Sequence, residues 1–199
     1  MQIVEKVKLA LGHSMLKKYT STLDRVRTDP DIHRSPVVGI LYDATERDDF
    51  ELVREFFKDL RQNGIKAVSL GYIDYKETLS FHPLARPEAD YFFKSQLNWM
   101  NRPQSTVIDH FIDEPFDMLI HLSLKDFFPL DYIAAASRAG LKIGRADAAV
   151  NYCYDMTFAL DKDSGLRHFA YTIIHYLSNI NHERSAGNSG KRSSHYYTV

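Results

Sequence analysis

Polar and charged side chains follow three of the predicted strands at the point where each strand ends. They are Asp43 and Thr45 after a strand over 37–42, Ser123, Lys125 and Asp126 after 117–122, and Arg145 at the end of 141–145. Ligands of parallel sheets collect outside the carboxyl ends of the strands. Lys125 and Arg145 therefore predict a site for a small anionic group, with Asp43 or Asp126 orienting the two cations. The alternative is a set of solvated loop charges that pair with one another, which the mixture of acids and bases favours.

The same loops lack the patterns of common enzyme classes. The loop 43–46 contains no glycine and two acids, so it would repel a pyrophosphate rather than bind it. The loop at Ser123 has no G-x-S-x-G pattern, which leaves a hydrolase of the α/β type without support. We therefore predict no dinucleotide or other cofactor, and we assign no catalytic residue.

The histidines do not form a metal-binding pattern. His168, His175 and His182 recur every seven residues, which is about 10.5 Å of helical rise. The ligands of one zinc ion lie about 2.0–2.1 Å from it, so we predict no metal site. His121 lies inside the apolar run 118–122, which indicates a hydrogen-bonded core histidine rather than a catalytic base.

Apolar strands that alternate with amphipathic helices place these loops. The segment 116–145 reads as a buried strand, a helix with Pro129 in its first turn, and a second buried strand, which is a βαβ unit. A similar unit joins 37–42 to 67–72, and Thr45 followed by Asp48 resembles a capping box at the start of its helix. Short connections predict parallel, right-handed crossovers. The predicted fold is a three-layer, Rossmann-like α/β domain with a mostly parallel sheet and an N-terminal helix.

Three regions of the chain differ in composition. Residues 1–34 form a basic N-terminal helix and lead-in, 35–182 a single α/β domain, and 183–199 a Ser- and Gly-rich segment that predicts a disordered tail. One face of the first helix carries Ile3, Val7, Leu11 and Met15. Docking of this helix on the domain or on a second subunit is the favoured use, and binding to an anionic membrane is the alternative.

Composition limits the classes of partner and compartment. At 199 residues and 44% hydrophobic, the chain can bury one sizeable core. The net charge of -1 argues against nucleic acid as a partner. No apolar run reaches the ~20 residues of a transmembrane helix. Cys153 is the single cysteine, which fits a reducing, cytoplasmic location, and its two tyrosine neighbours indicate a packed thiol rather than a nucleophile. The expected partners are a small anionic ligand or another protein, and a homo-oligomer is compatible with the sequence.

A resemblance to a known family rests on the segments FDMLIHLS, PLDYIAAASRAGLKIGR and YDMTFAL. They resemble an uncharacterised family of small single-domain α/β proteins, to which no activity is assigned. The strand-helix-strand part is distantly similar to the N-terminal domain of heptosyltransferase-like glycosyltransferases, although the chain is too short for their second, donor-binding domain. Two functions are therefore expected. The first is a non-catalytic Rossmann-like binding or interaction module, and the alternative is an enzyme acting on a phosphorylated or nucleotide-linked sugar.

Overall fold

The computed structural model describes residues 2–28, 36–75 and 88–187, with side chains described for 6–28, 36–75 and 88–179. The strands are β1 Val37–Asp43, β2 Lys66–Ile73, β3 Ala89–Phe93, β4 Met118–Leu122, β5 Leu141–Arg145 and β6 Met156–Phe158. The helices are α1 Gln2–Thr22, α2 Arg47–Gln62, α3 Thr106–Asp113, α4 Phe128–Ala136 and α5 Leu166–Gly187. Residues 183–187, which the sequence assigned to a disordered tail, belong to α5 instead, and the rest of that predicted tail, from 188 onward, lies outside the described residues. None of the described helices is long and apolar enough to cross a membrane.

All six strands form one sheet in the order β3-β2-β1-β4-β5-β6. Every neighbouring pair is parallel, and the register places Ile40 of β1 beside both Ser69 of β2 and Ile120 of β4. The four predicted strands are all present, and β4 lies in the interior of the sheet as its continuous apolar run requires. The predicted Rossmann-like fold class is confirmed.

Two helical layers cover the two faces of the sheet. Ile40 and Ile120 point into a core shared with α2 and α5, whereas the adjacent Leu41 and Leu119 point into a core shared with α1, α3 and α4. Successive residues of a strand face opposite sides of a sheet. Strands β1 and β4 therefore carry apolar residues on both sides, because both faces of the sheet are buried. The sheet and its two helical layers form a three-layer domain.

The start of α2 differs from its prediction. The residue before the helix is Glu46, and no side chain caps it. The Thr45 hydroxyl instead accepts a hydrogen bond of 3.0 Å from the Asp74 backbone N–H, in the loop after β2. The predicted capping box was therefore wrong, because a long-range partner at the same edge of the sheet takes the hydroxyl that a local pattern assigns to the helix.

Helix α1 docks on the domain, but through a face that the sequence did not indicate. Leu16 is 3% exposed, His13 Nε2 lies 3.3 Å from Asp131 Oδ2 of α4, and Gly12 lies against the Phe128 ring. Val7, Leu11 and Met15 are exposed instead, and the side chain of Ile3 lies outside the described residues. A glycine and a histidine form much of the docked face, so hydropathy favoured the wrong side of the helix.

We expect Gly12→Leu to weaken the docking of α1. A Cβ at position 12 would lie 2.7 Å from two ring atoms of Phe128, which is itself buried, and overpacking of this kind costs roughly 1–3 kcal/mol. Urea unfolding measures the loss, and limited proteolysis within α1 shows where it occurs. Ala10→Leu is the matched control, since Ala10 is exposed on the same helix. Equal stability of the two variants would contradict close packing at Gly12.

Candidate functional site

The sheet reverses its direction of growth between β1 and β4. From β1 the chain adds β2 and β3 on one side, and from β4 it adds β5 and β6 on the other. The connections that leave the carboxyl ends of β1 and β4 therefore diverge, to α2 on one face and to α4 on the other. In open α/β sheets such a reversal creates a crevice in which ligands bind. We call the carboxyl ends of β1 and β4, with residues 43–49 and 123–127, the switch-point crevice.

The β1 side of the switch-point crevice is shaped by Asp43 and Thr45. Asp43 is 7% exposed, and its Oδ1 accepts a 3.0 Å hydrogen bond from the Thr45 backbone N–H. With the Thr45–Asp74 contact, these bonds join the loop after β1 to the loop after β2. Both side chains therefore hold backbone in place, and Asp43 keeps a carboxylate at the crevice.

Acidic groups surround this side of the crevice. Asp49 is half-buried in the first turn of α2. Burial raises the pKa of its carboxyl, the charge of Asp43 raises it further, and the charge of Lys125 lowers it. Lys125 therefore lies within electrostatic reach of Asp49 across the crevice. The crevice combines one lysine from the β4 side with carboxylates from the β1 side.

The β4 side of the crevice is a tight turn. The Ser123 hydroxyl donates to the Lys125 carbonyl oxygen at 2.6 Å and accepts from the Lys125 backbone N–H at 3.3 Å. Ser123 is 5% exposed, whereas the Lys125 side chain is exposed. The turn fixes the backbone of Lys125 and leaves its ammonium available to a ligand in solvent.

Arg145 lies beside this turn but already has anionic partners. Its Nη2 lies 2.6 Å from Asp126 Oδ1, and its Nη1 lies 3.2 Å from Asp147 Oδ1. The Arg145 side chain is 13% exposed. Asp126 also accepts a 3.3 Å hydrogen bond from the Ala149 backbone N–H. The predicted proximity of Asp126 and Arg145 is present, and the pair ties the loop after β4 to the segment after β5.

A buried histidine–tyrosine pair lies behind Arg145. His121 is 5% exposed, and its Nδ1 lies 2.6 Å from the Tyr154 hydroxyl, so the predicted hydrogen-bonded core histidine is confirmed. The Tyr154 ring passes over Gly144 of β5, where any Cβ would overlap it. Burial, with the nearby Arg145 charge, lowers the pKa of His121 to about 3. The imidazole is therefore neutral at physiological pH and gives the tyrosine hydroxyl one partner.

Polar atoms without hydrogen-bond partners cluster in this layer. Among the described residues they are His121 Nε2, Asp131 Oδ1, Arg145 Nε and Tyr152 Oη. Asp131 belongs to α4, Tyr152 packs against the core shared with α1, α3 and α4, and His121 contacts Tyr154 beside the same core. The charge of Arg145 acts on both His121 and Asp131. Burying such atoms unpaired is costly. The layer therefore carries more polarity than packing alone requires.

The contact between His13 of α1 and Asp131 of α4 joins the two helices at this layer. The hydrogen bond to Asp131 raises the pKa of His13, while burial raises the pKa of Asp131. Both groups bind protons more readily in the folded protein than in the unfolded chain. Their contribution to stability is therefore present in acid and is lost as the pH rises. Sequence reasoning missed this pair, since the two residues are 118 positions apart and neither belongs to a motif.

Lys142 is a second buried polar residue that the sequence did not indicate. It is 0% exposed in the middle of β5, and its Nζ donates to the Ala135 carbonyl oxygen at 2.9 Å. Burial lowers the pKa of its ammonium to about 8. A strand pattern predicts that a lysine among apolar residues faces water, but both faces of β5 are covered.

Two surface depressions lie elsewhere. One runs along α5 and is lined by Arg167, His168, Tyr171, Thr172 and His175. The other lies between β2 and α3 and includes Ser69, Asp90, His110 and Glu114. Among the residues with described side chains, no group of three or more His, Cys, Asp or Glu is arranged to hold a metal ion. Neither depression contains a predicted site residue.

We expect His121→Leu to reduce the acid sensitivity of the fold. The folded protein keeps His121 neutral down to about pH 3, whereas the unfolded chain binds its proton near 6.5. The stabilisation by neutral His121 is therefore present above pH 6.5 and is lost as the pH falls toward 3, by about 5 kcal/mol in total. Urea unfolding across this range measures the difference in stability between wild type and variant. A difference that does not change with pH would contradict the buried neutral imidazole.

For Lys142→Met we expect the pH-dependent difference in stability at alkaline pH instead of in acid. Between pH 8 and 10.5 the unfolded chain binds more protons at this lysine than the folded protein does. Wild-type stability therefore rises with pH in this interval relative to the variant, by about 3 kcal/mol. Tyrosines also titrate at alkaline pH, but both proteins keep the same tyrosines. The difference between the two stability curves therefore reports the titration of Lys142. Parallel stability curves for the two proteins would show that Lys142 is not desolvated.

Comparison with known proteins supports a family assignment. Residues 8–180 match the model of a family of unknown function, DUF6913. No curated protein and no solved structure matches the chain, so the distant similarity to heptosyltransferase-like enzymes has no support here. The matched region includes every candidate residue from Asp43 to Arg145. The chain belongs to the DUF6913 family of unknown function, in agreement with the uncharacterised α/β family that the sequence resembles.

Proposed function

We propose that the protein is a non-catalytic binding module that holds a small anionic ligand in the switch-point crevice. The observation that carries this proposal is the strand order β3-β2-β1-β4-β5-β6, whose reversal lies between β1 and β4. Ligands of open α/β sheets bind at this point. The polar residues predicted from the sequence follow β1, β4 and β5 at the same edge.

Lys125 is the residue that would contact the anion. Its ammonium is exposed, and the Ser123 turn fixes its backbone. Arg145 would act indirectly, because its two ion pairs hold Asp126 and the loop in place. The carboxylates of Asp43 and Asp49 suit hydroxyl or amino groups on the remainder of the ligand. A small molecule with one anionic group and several hydroxyls fits this arrangement.

Two buried side chains with catalytic chemistry, Cys153 and His121, are not suited to catalysis here, which supports binding. Burial raises the pKa of the Cys153 thiol to about 12, so it stays protonated and is a poor nucleophile. His121 is a poor general base, because its lowered pKa of about 3 means that the imidazole binds a proton only weakly. A general base acts best with a pKa near the working pH.

One observation favours the alternative, an enzyme acting on a phosphorylated or nucleotide-linked sugar. The Asp49 carboxyl is half-buried at the crevice, and burial raises its pKa. A carboxyl with a raised pKa, close to a lysine that can hold an anion, is a candidate to accept a proton from a sugar hydroxyl. Incubation with a uridine diphosphate sugar and an acceptor sugar tests this candidate. Product formation that Asp49→Asn abolishes would replace the binding-module proposal.

We expect Lys125→Ala to weaken ligand binding at least tenfold without loss of stability. Losing one charge-assisted contact costs on the order of 1.5–3 kcal/mol, which is at least tenfold in affinity. Thermal shift with inorganic phosphate, a hexose phosphate and a uridine diphosphate sugar identifies a binding probe, and calorimetry gives its affinity. Lys66→Ala is the matched control, because Lys66 is exposed at the amino end of β2.

Arg145→Ala should weaken the same binding and also lower the melting temperature, because it releases Asp126 and Asp147. Unchanged affinity in both the Lys125 and the Arg145 variants would end the proposal. Equal weakening by the Lys66 variant would also contradict it, since that result would indicate an effect of net charge alone.

A further inference from the structure

Helix α1 carries an exposed apolar ridge on the side away from the domain. Its docked side consists of Gly12, His13 and Leu16. Four large apolar side chains on the other side are about half exposed or more, namely Val7 at 53%, Leu11 at 56%, Met15 at 63% and Tyr19 at 48%. The spacing of four residues places them along one side of the helix. We call these four residues the α1 ridge.

The part of α1 that carries the ridge is rich in lysine. Residues 6–23 contain four lysines and no acidic residue. Lys6 and Lys18 are exposed, and Lys17 lies over the Tyr152 ring. Residues 1–28 hold six Lys and Arg against two acids, whereas the remaining chain holds 19 Lys and Arg against 24 acids. Residues 1–28 therefore carry a net positive charge, with four of their six cations on α1, whereas the remainder of the chain is net negative.

These features together select one kind of partner. At 100° per residue, Lys18 lies between Val7 and Leu11 in the helical projection, so cations occur within the apolar arc. Lysine is depleted from the buried centre of protein–protein interfaces. On a membrane its stem lies along the apolar region while the ammonium reaches the headgroups. A helix with an apolar side and lysines binds best to anionic lipid.

We propose that the α1 ridge lies on the surface of an anionic lipid bilayer while the opposite side of α1 stays docked on the domain. The apolar side chains enter the headgroup region, and Lys18, which lies within the ridge, contacts anionic headgroups. This interaction does not depend on the ligand proposed for the switch-point crevice. The sequence left binding to an anionic membrane as an alternative use of this helix, and the α1 ridge names the residues that would bind.

Vesicle co-sedimentation of the full chain tests the proposal. The probes are vesicles of phosphatidylcholine alone and vesicles that also contain phosphatidylglycerol. We expect binding only to the second kind, and weaker binding at high salt because salt screens surface charge. Leu11→Ser/Met15→Ser should reduce the bound fraction at least tenfold, and Lys18→Glu should also reduce it, with melting temperatures close to that of the wild type because all three side chains are exposed.

Matched controls separate the ridge from general surface properties. Lys58→Glu changes the net charge by the same amount as Lys18→Glu at an exposed position outside α1, and Trp99→Ser removes another exposed apolar side chain. Both controls should bind like the wild type. Absence of wild-type binding to phosphatidylglycerol vesicles, or equal loss in the controls, would overturn the proposal. A dimer in size-exclusion chromatography that Leu11→Ser/Met15→Ser dissociates, without lipid binding, would assign the ridge to a second copy instead.

Discussion

Val38 to Tyr42 of β1 pair in parallel with Met118 to Leu122 of β4, at the centre of the sheet. This pairing joins two βαβ halves that would otherwise be separate, and it fixes which loops become neighbours. Strands β1 and β4 are adjacent although α2, β2, β3 and α3 lie between them in the chain. The loops that follow the two strands lead to helices in opposite layers. The switch-point crevice, the acidic lining from α2 and the position of Lys125 all follow from this one pairing.

The second constraint is the polar layer between the sheet and the helices α1 and α4. Lys142, His121 and Asp131 are buried there, each with only part of its hydrogen-bonding capacity used. Replacing buried charged groups by well-packed apolar residues of similar volume is often neutral or stabilising in proteins. We infer that these groups specify how α1 and α4 pack, since His13 and Asp131 join the two helices and Lys142 contacts the last turn of α4.

The sequence predicted the parts of the fold that depend on local pattern. The predicted strands over 37–42, 67–72, 117–122 and 141–145 are present as β1, β2, β4 and β5, because mostly apolar segments between amphipathic helices identify strands that are buried on both faces. The capping role of Thr45 and the docked face of α1 were wrong for one physical reason. Asp74, Phe128 and Asp131 lie far away in the chain, and their contacts override the preferences that spacing alone reveals. The polar layer was hidden for the same reason, because a lysine or histidine within a strand carries no sign of what covers it.

The site residues show what cannot be predicted from the strand order alone. Strand order brings the loops after β1 and β4 together, but it does not say that Arg145 is neutralised by Asp126 and Asp147 while Lys125 is exposed.

Amide chemical-shift mapping by NMR, with a hexose phosphate added to the full chain, tests the central claim most directly. Our account predicts the largest shifts at residues 43–49 and 123–127, around the switch-point crevice. Shifts confined to the groove between β2 and α3, at Ser69, Asp90 and Glu114, would contradict it.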